Sequence, residues 1–433
     1  MKSLFQKLLA WKARKIIQKY QPKVVGITGS VGKTSTRNAI ATVLRAKYRV
    51  RTNIENYNNE FGVPFTIIGM KSPGRSIFGW LKLFWKADKL ILFRDQNYPN
   101  MLVLEYGVEH PGDIDYLCDI ALPDVGVLTA ISPVHVEYFD GLEGLKKEKG
   151  RILERAKELV VLNLNDEHVL SMKDRADVRV ETYGISAGDV HAENVNVETR
   201  DDFSFEPGEQ FSAMHFDLHV HDDRAQAELR DLLGMGQVSA ALAGAAVGAH
   251  FGVETRDIVT RLTELQPQAG RMRPIPGIKG SLILDDSYNA APASTKAAIE
   301  TLMQFHPAEA SRRIAAIGKM AELGDLTEQE HRLIGLQLAA GGVDFLVTVG
   351  EEAQDIRRGA IEGGIPESQT RHFEDSVEAG RFLDGEVKKG DVVLVKGSQS
   401  ARMEMVVRDL MAEPLMAGKL LVRQYGKWLE DYL

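Results

Sequence analysis

The residues with the clearest chemical content lie near the N-terminus, in Val24-Val25-Gly26-Ile27-Thr28-Gly29-Ser30-Val31-Gly32-Lys33-Thr34-Ser35. β-Branched residues run into a glycine-punctuated turn that closes on Gly32-Lys33-Thr34, and a helical pattern follows from Arg37 to Lys47. Strand, glycine turn and helix in that order are the setting of a phosphate-binding loop. Glycines let successive backbone N–H groups converge on phosphate oxygens, and the helix N-terminus adds partial positive charge. In this reading Lys33 neutralises the β- and γ-phosphates and the Thr34 hydroxyl ligates magnesium. Thr28, Gly29, Ser30, Val31, Gly32 and Ser35 complete the cradle. The first glycine of the standard spacing would fall at Ile27, so this is the compact Thr-Gly-x-x-Gly-Lys-Thr form. A Gly-Lys-Thr surface turn is the plainer alternative, and the apolar strand ahead of the loop speaks against it. ATP or GTP binding is the expectation.

Other candidates follow along the chain. Glu105 closes the apolar run Met101–Leu104, where a carboxylate can reach a loop-bound magnesium. His135 lies in Ser132-Pro133-Val134-His135-Val136-Glu137 and Lys149 in Lys146-Lys147-Glu148-Lys149-Gly150. Taken singly, each has a structural reading: Glu105 a strand-end carboxylate, His135 a loop histidine, Lys149 one charge of a solvated run. His215, Asp217, His219 and His221 alternate with Met214, Phe216, Leu218 and Val220. Four metal-capable side chains on one strand face suggest zinc. Same-strand neighbours two apart do not converge on a tetrahedral site unaided, so the wet face of a half-buried antiparallel strand is the simpler explanation.

The elements that must position these residues read as alternating strands and helices. Met101–Leu104, Val125–Thr129 and Val160–Leu164 are strand-like, and the alternation over 190–220 predicts a small antiparallel excursion. Helices are expected at Gln237–Phe251 and Glu254–Glu264, and Gln266-Pro267-Gln268-Ala269-Gly270 reads as a linker. Beyond it a second series has strands near 281–285, 312–317, 345–349 and 391–395. The fold class is α/β: a P-loop central domain with a mainly parallel sheet, and a C-terminal Rossmann-like α/β domain. The expected boundaries are 1–22 for a basic N-terminal helix, 23–267 for the central domain and 268–433 for the C-terminal one. A basic aromatic insertion falls at about 72–98 of the central domain.

Composition agrees. The chain has 433 residues, 44% hydrophobic and 26% charged, as in an ordinary globular protein of two or more domains. The single Cys118 excludes a disulfide framework and fits a cytoplasmic location. A net charge of −8 argues against nucleic acid as a partner. Residues 1–23 nevertheless carry seven Lys and Arg and no acid, with Phe5, Leu9, Ala13, Ile16 and Tyr20 at helical spacing. Arg75–Arg94 joins Phe78, Trp80, Leu81, Phe84 and Trp85 to Lys82, Lys86 and Lys89. Both segments either dock on the protein's own core or touch the inner face of an anionic membrane.

The order of motifs resembles the Mur ligases, the family that builds the peptide of bacterial peptidoglycan. The resemblance rests on Thr28–Thr34, Asn58-Asn59-Glu60-Phe61-Gly62-Val63-Pro64, Glu105-Tyr106-Gly107, His135-Val136-Glu137, Lys149-Gly150 and Asn163-Leu164-Asn165-Asp166. In the second half it adds Gly270-Arg271-Met272-Arg273, Asp285-Asp286-Ser287-Tyr288-Asn289-Ala290, Met320-Ala321-Glu322-Leu323-Gly324 and Val395-Lys396-Gly397-Ser398. The Asp-Ser-Tyr-Asn and Glu-Leu-Gly signatures look most like the branch that adds D-alanyl-D-alanine to a UDP-muramyl-tripeptide.

The resemblance implies an ADP-forming amide ligase in which ATP converts a carboxylate to an acyl phosphate and an amine then attacks. Lys33, His135 and Lys149 would be its catalytic residues. Two Mg2+ ions are expected, one held by Thr34 and Glu105, the other by His135 and Lys149 as its carbamate. Arg271 would meet the phosphates, Asp286 the ribose and Asn289 the adenine region, while Asn58 and Asn59 would face a small-molecule peptide precursor. A monomer is expected. Only residues 1–22 precede the loop strand, so a member without the family's N-terminal uridine-nucleotide domain is expected. Lys319 stands in place of an Asp, Ala291 in place of an Asn, and Gly234-Met235-Gly236-Gln237 lacks a usual histidine. These departures leave two other readings open: a Mur-like ligase on another acid (lipid-linked muropeptide, polyglutamate or folate), or a non-catalytic nucleotide-binding scaffold.

Overall fold

The computed structural model describes residues 2–53, 57–133, 138–200, 202–203, 205–206, 209–306, 311–426 and 428, with residues 2–4 described by backbone alone. Two sheets organise the chain. The first contains β1 (Lys23–Thr28), β2 (Val50–Thr52), β3 (Met101–Glu105), β4 (Val125–Leu128), β5 (Leu159–Asn163), β6 (Arg179–Ile185), β7 (Val190–Thr199), β8 (Ser212–Val220) and β9 (Asp223–Arg230). Its order is β2-β3-β1-β4-β5-β6-β7-β8-β9, parallel as far as β7 and antiparallel through β7-β8-β9.

The inner strands read as unbroken apolar runs because both faces are covered. On one side lie α2 (Lys33–Leu44) and the helix Met235–His250. That helix is rich in Ala and Gly for a steric reason: a Cβ on Gly244 would sit 3.1 Å from the carbonyl carbon of Ala39 on α2. On the other side pack α1 (Lys2–Tyr20), α3 (Gly62–Ile68), α4 (Ile77–Leu92), α5 (Asp113–Ile120) and α6 (Gly141–Arg155).

The antiparallel part reaches Arg230, beyond the expected limit near 220, because β9 pairs with β8 along its whole length. Its sequence, Asp-Arg-Ala-Gln-Ala-Glu-Leu-Arg, buries only Ala227 and Leu229 and so lacks the apolar run that marks a strand.

The second sheet contains β10 (Arg273–Pro276), β11 (Leu282–Asp286), β12 (Arg313–Gly318), β13 (Phe345–Val349), β14 (Thr370–Phe373) and β15 (Val392–Lys396), in the order β10-β11-β15-β12-β13-β14. All neighbours are parallel except β10 and β11. Among the described residues no helix is long and apolar enough to cross a membrane.

Candidate functional site

The site forms where the carboxyl ends of β1, β3 and β4 meet, with β1 between the other two. The turn after β1 needs its glycines. Gly29 has φ 147° and a Cβ there would fall 2.0 Å from Thr129 Oγ1, while Gly32 has φ 84° at the start of α2. The loop is tied to the neighbouring strand end: the Ser30 N–H donates to Ala130 O at 2.7 Å, Ser30 Oγ to Ser132 O at 2.9 Å, and Thr129 Oγ1 to Val31 O at 2.6 Å. Thr28 Oγ1 donates to Tyr106 O at 2.9 Å, locking β1 to the residue after Glu105.

Glu105 is buried at the end of β3, opposite Ile27 in register. It gathers donors. Thr34 Oγ1 lies 3.0 Å from its Oε2, Asn58 Nδ2 lies 3.1 Å from its Oε1, and the Arg37 guanidinium is 3.6 Å from Oε2. A carboxylate and a hydroxyl at the N-terminus of α2 are the hard oxygen donors that suit magnesium. Lys33 donates to Gly29 O at 2.8 Å and Ser30 O at 3.3 Å. Burial holds its pKa below the ordinary lysine value; Arg271 pushes the same way and Glu105 opposes.

Lys149 is not part of a solvated run. It is 3% exposed on α6, and its Nζ donates to Gly29 O at 3.0 Å. Burial, with Lys33 adding repulsion, drives its pKa well below the lysine range, which favours the neutral amine. Its place was readable from spacing: Leu145, Lys149, Ile152 and Leu153 form one buried helical face. The neighbouring Glu148 instead accepts from the backbone N–H groups of Gly112 and Ile114, each at 2.9 Å, and fixes α5.

The second sheet delivers its residues across the gap. Arg271 Nη2 donates to Thr34 Oγ1 at 3.2 Å, and its guanidinium stacks over Tyr288 at 4.2 Å. Asp286 accepts from Met272 N–H at 3.1 Å and from Lys396 Nζ at 2.5 Å, and Lys396 also donates to Asn289 O at 2.9 Å. Asp285 beside it is fully buried. Burial raises its pKa to about 6, although Ser287 and Gly270 N–H donate to its carboxylate.

The structure therefore brings Thr28–Ser35, Glu105, Lys149 and Arg271 to one place, with Asn58 directly on Glu105. Asn59 is exposed, and its Oδ1 closes the turn into α3 by accepting from the Phe61 and Gly62 N–H groups at 3.2 and 3.0 Å. His135 lies outside the described residues. Sequence reasoning assigned no role to Arg37 or Lys396. Arg37 looked like any helical arginine and carried no signal, whereas Lys396, a cation ending the apolar run of β15, did.

The His215, Asp217, His219 and His221 side chains are held by separate partners: Glu198, the Asn194–Arg224–Gln226 group, Glu193 and Glu181. His219 also stacks on His191 of β7 at 4.4 Å, and Glu193 faces both rings.

A glycine cradle, a buried cation and a carboxylate–hydroxyl pair define a phosphate-binding nucleotide site. The family models agree with that class. The Mur ligase middle domain matches residues 27–78 and 85–248, and the Mur ligase glutamate ligase domain matches 270–399. The UDP-N-acetylmuramoyl-tripeptide–D-alanyl-D-alanine ligase of Bacillus subtilis is 28% identical over 405 residues, covering 93% of this chain and 79% of the relative. Its counterpart in Mycobacterium tuberculosis is 31% identical over 410 residues, covering 90% and 73%. Among solved structures, MurF from Acinetobacter baumannii superposes with a TM-score of 0.76 at 26% identity, covering 93% of this chain and 80% of that one. MurF ligase from Thermotoga maritima in complex with ADP gives 0.74 at 26%, covering 93% and 83%. The chain belongs to the Mur ligase family and is an ATP-dependent, ADP-forming ligase.

Proposed function

We propose that this ligase joins D-alanyl-D-alanine to the free carboxylate of a UDP-muramyl-tripeptide. The observation that carries the reading is the Thr34–Glu105–Arg271 contact, which unites the phosphate loop with the second sheet as ATP-bridged catalysis requires. The names of the relatives supply the substrate class.

The chemistry proceeds in two displacements. A carboxylate oxygen of the acid attacks the γ-phosphorus of ATP and ADP leaves, giving an acyl phosphate. The amine of D-alanyl-D-alanine then attacks the acyl carbon, loses a proton, and phosphate departs. The protein's share is placement and charge. Lys33 and Arg271 bring positive charge to the β/γ-phosphates, and the loop N–H groups hold the phosphate oxygens. We assign the ribose to Asp286, oriented by Lys396, and the adenine region to Asn289. Asn58 orients Glu105 toward the acid's side of the site.

Thr34 and Glu105 would hold a magnesium ion, which supplies charge neutralisation at the transferred phosphoryl group. Burial that disfavours the Lys149 ammonium fits conversion of its amine to a carbamate by CO2, giving an anionic oxygen in place of a repelled ammonium, with His135 its proposed companion in a second metal site. The acyl-phosphate route is tested with tripeptide precursor labelled with 18O in its accepting carboxylate. One labelled oxygen must appear in the released phosphate. Unlabelled phosphate would refute carboxylate activation.

A further inference from the structure

The surface built by α1 and α4 has no role in the ligase chemistry, yet its composition is unlike a solvated face. A surface helix normally turns a polar side to water. α4 is apolar on both sides. Leu83, Ala87 and Leu90 are buried, while Phe78, Leu81, Trp85 and Leu92, at helical spacing, are 84, 60, 65 and 73% exposed. Phe5 of α1 packs on Trp80 and Phe84 of α4 at 5.7 and 6.0 Å, so the two helices form one surface, to which α1 adds exposed Leu8 and Trp11. Scattered exposed hydrophobic side chains are ordinary; a set gathered on two adjoining helices marks a contact surface.

Charge identifies the contact. Lys7, Lys15, Lys82 and Lys89 are exposed on these helices. Residues 1–23 contain no acid, and the single acid of α4, Asp88, is paired with Lys12. Aromatic and aliphatic side chains with lysines among them, and almost no carboxylate, match the headgroup–acyl boundary of an anionic bilayer. A cleft of about 590 Å³ opens at the same surface, lined by Phe5, Tyr57, Phe61, Phe65, Ile77 and Trp80, and it reaches Asn59, the residue that follows the Glu105 partner Asn58.

We propose that the α1–α4 face seats this enzyme on an anionic lipid bilayer, with the cleft taking a lipid hydrocarbon chain. The inference stands on this surface alone and does not depend on which acid the ligase uses. Trp80 and Phe84 are half-buried and help hold α1 on α4, so Phe78, Leu81 and Trp85 are the side chains that enter the membrane.

The test is sedimentation of the full-length protein with vesicles of phosphatidylglycerol and phosphatidylcholine, and with phosphatidylcholine alone. Binding is expected only with the anionic vesicles and should weaken with salt. It should fall at least tenfold in Phe78→Ser/Leu81→Ser/Trp85→Ser and in Lys82→Glu/Lys89→Glu. Phosphate release without vesicles should be unchanged in both variants, which shows that they fold. Acyl-chain-brominated phosphatidylglycerol should quench Trp80 in a Trp11→Phe/Trp85→Phe/Trp428→Phe background, where it is the single tryptophan. No binding to anionic vesicles, or equal binding by the triple variant, overturns the proposal. Unquenched Trp80 overturns the cleft assignment, and loss of self-association in place of vesicle binding would assign the face to a second copy.

Discussion

Replacing Lys149 separates chemistry from folding. Lys149→Ala removes one hydrogen bond to Gly29 O, about 1 kcal/mol. It also removes the burial of three methylenes, about 2.4 kcal/mol at ~0.8 each. Relief from keeping a cation-forming amine in a buried site offsets part of this loss. A net cost of at most about 3 kcal/mol leaves a chain of ordinary stability folded. If Lys149 acts as a carbamate, turnover should fall about a thousandfold, roughly 4 kcal/mol of transition-state stabilisation.

Formate or acetate can occupy the emptied volume and should restore at least tenfold. Lys149→Arg keeps the length and a positive charge but cannot form the carbamate, so it should be inactive and beyond rescue. Enzyme stripped of CO2 should regain activity on adding bicarbonate. The assay is ATP-dependent phosphate release with circular dichroism as the folding control. Turnover by folded Lys149→Ala within threefold of the parent, or an active Lys149→Arg, would refute the carbamate.

The other expectations concern the nucleotide and the second sheet. Lys33→Ala should abolish turnover while the protein stays folded, checked by phosphate release; retained activity would remove the loop from the mechanism. Arg271→Ala loses a charge-assisted bond to Thr34 and should lower kcat/KM for ATP by ten- to a hundredfold, about 1.4 to 2.7 kcal/mol. For Asp285 the folded pKa is raised to about 6 from an ordinary 3.8. The native state therefore holds a proton that the unfolded state has released between these values, and this group's stabilisation is lost as pH rises from about 4 through about 6. Asp285→Asn should remove that slope, so its cost in urea unfolding should be larger at pH 4.5 than at pH 7; an equal cost would contradict it.

What the sequence disclosed depended on whether a residue's surroundings are local. The phosphate loop was legible because strand, glycines and helix are contiguous, and Glu105 because an apolar run ends on it. Lys149 was obscured by its neighbours: Lys146 and Lys147 make the segment look solvated, and only the buried spacing of Leu145, Ile152 and Leu153 tells otherwise. Asn58 and Arg37 converge on Glu105 through tertiary packing, which no spacing reports. β9 escaped because hydrogen bonds to β8 define it more than hydrophobic burial does. The two basic segments were read as either docked or membrane-facing, and the structure shows each with one face docked and aromatic side chains still outside.

The central claim meets its most direct measurement in phosphate release by the purified protein with ATP and magnesium, given UDP-muramyl-tripeptide and D-alanyl-D-alanine together and singly. Release only with both, accompanied by a product of the combined mass less one water, is the expected result. Nucleotide binding with no release on the pair, while another acid supports release, would contradict the proposed substrate and leave the ATP site in place.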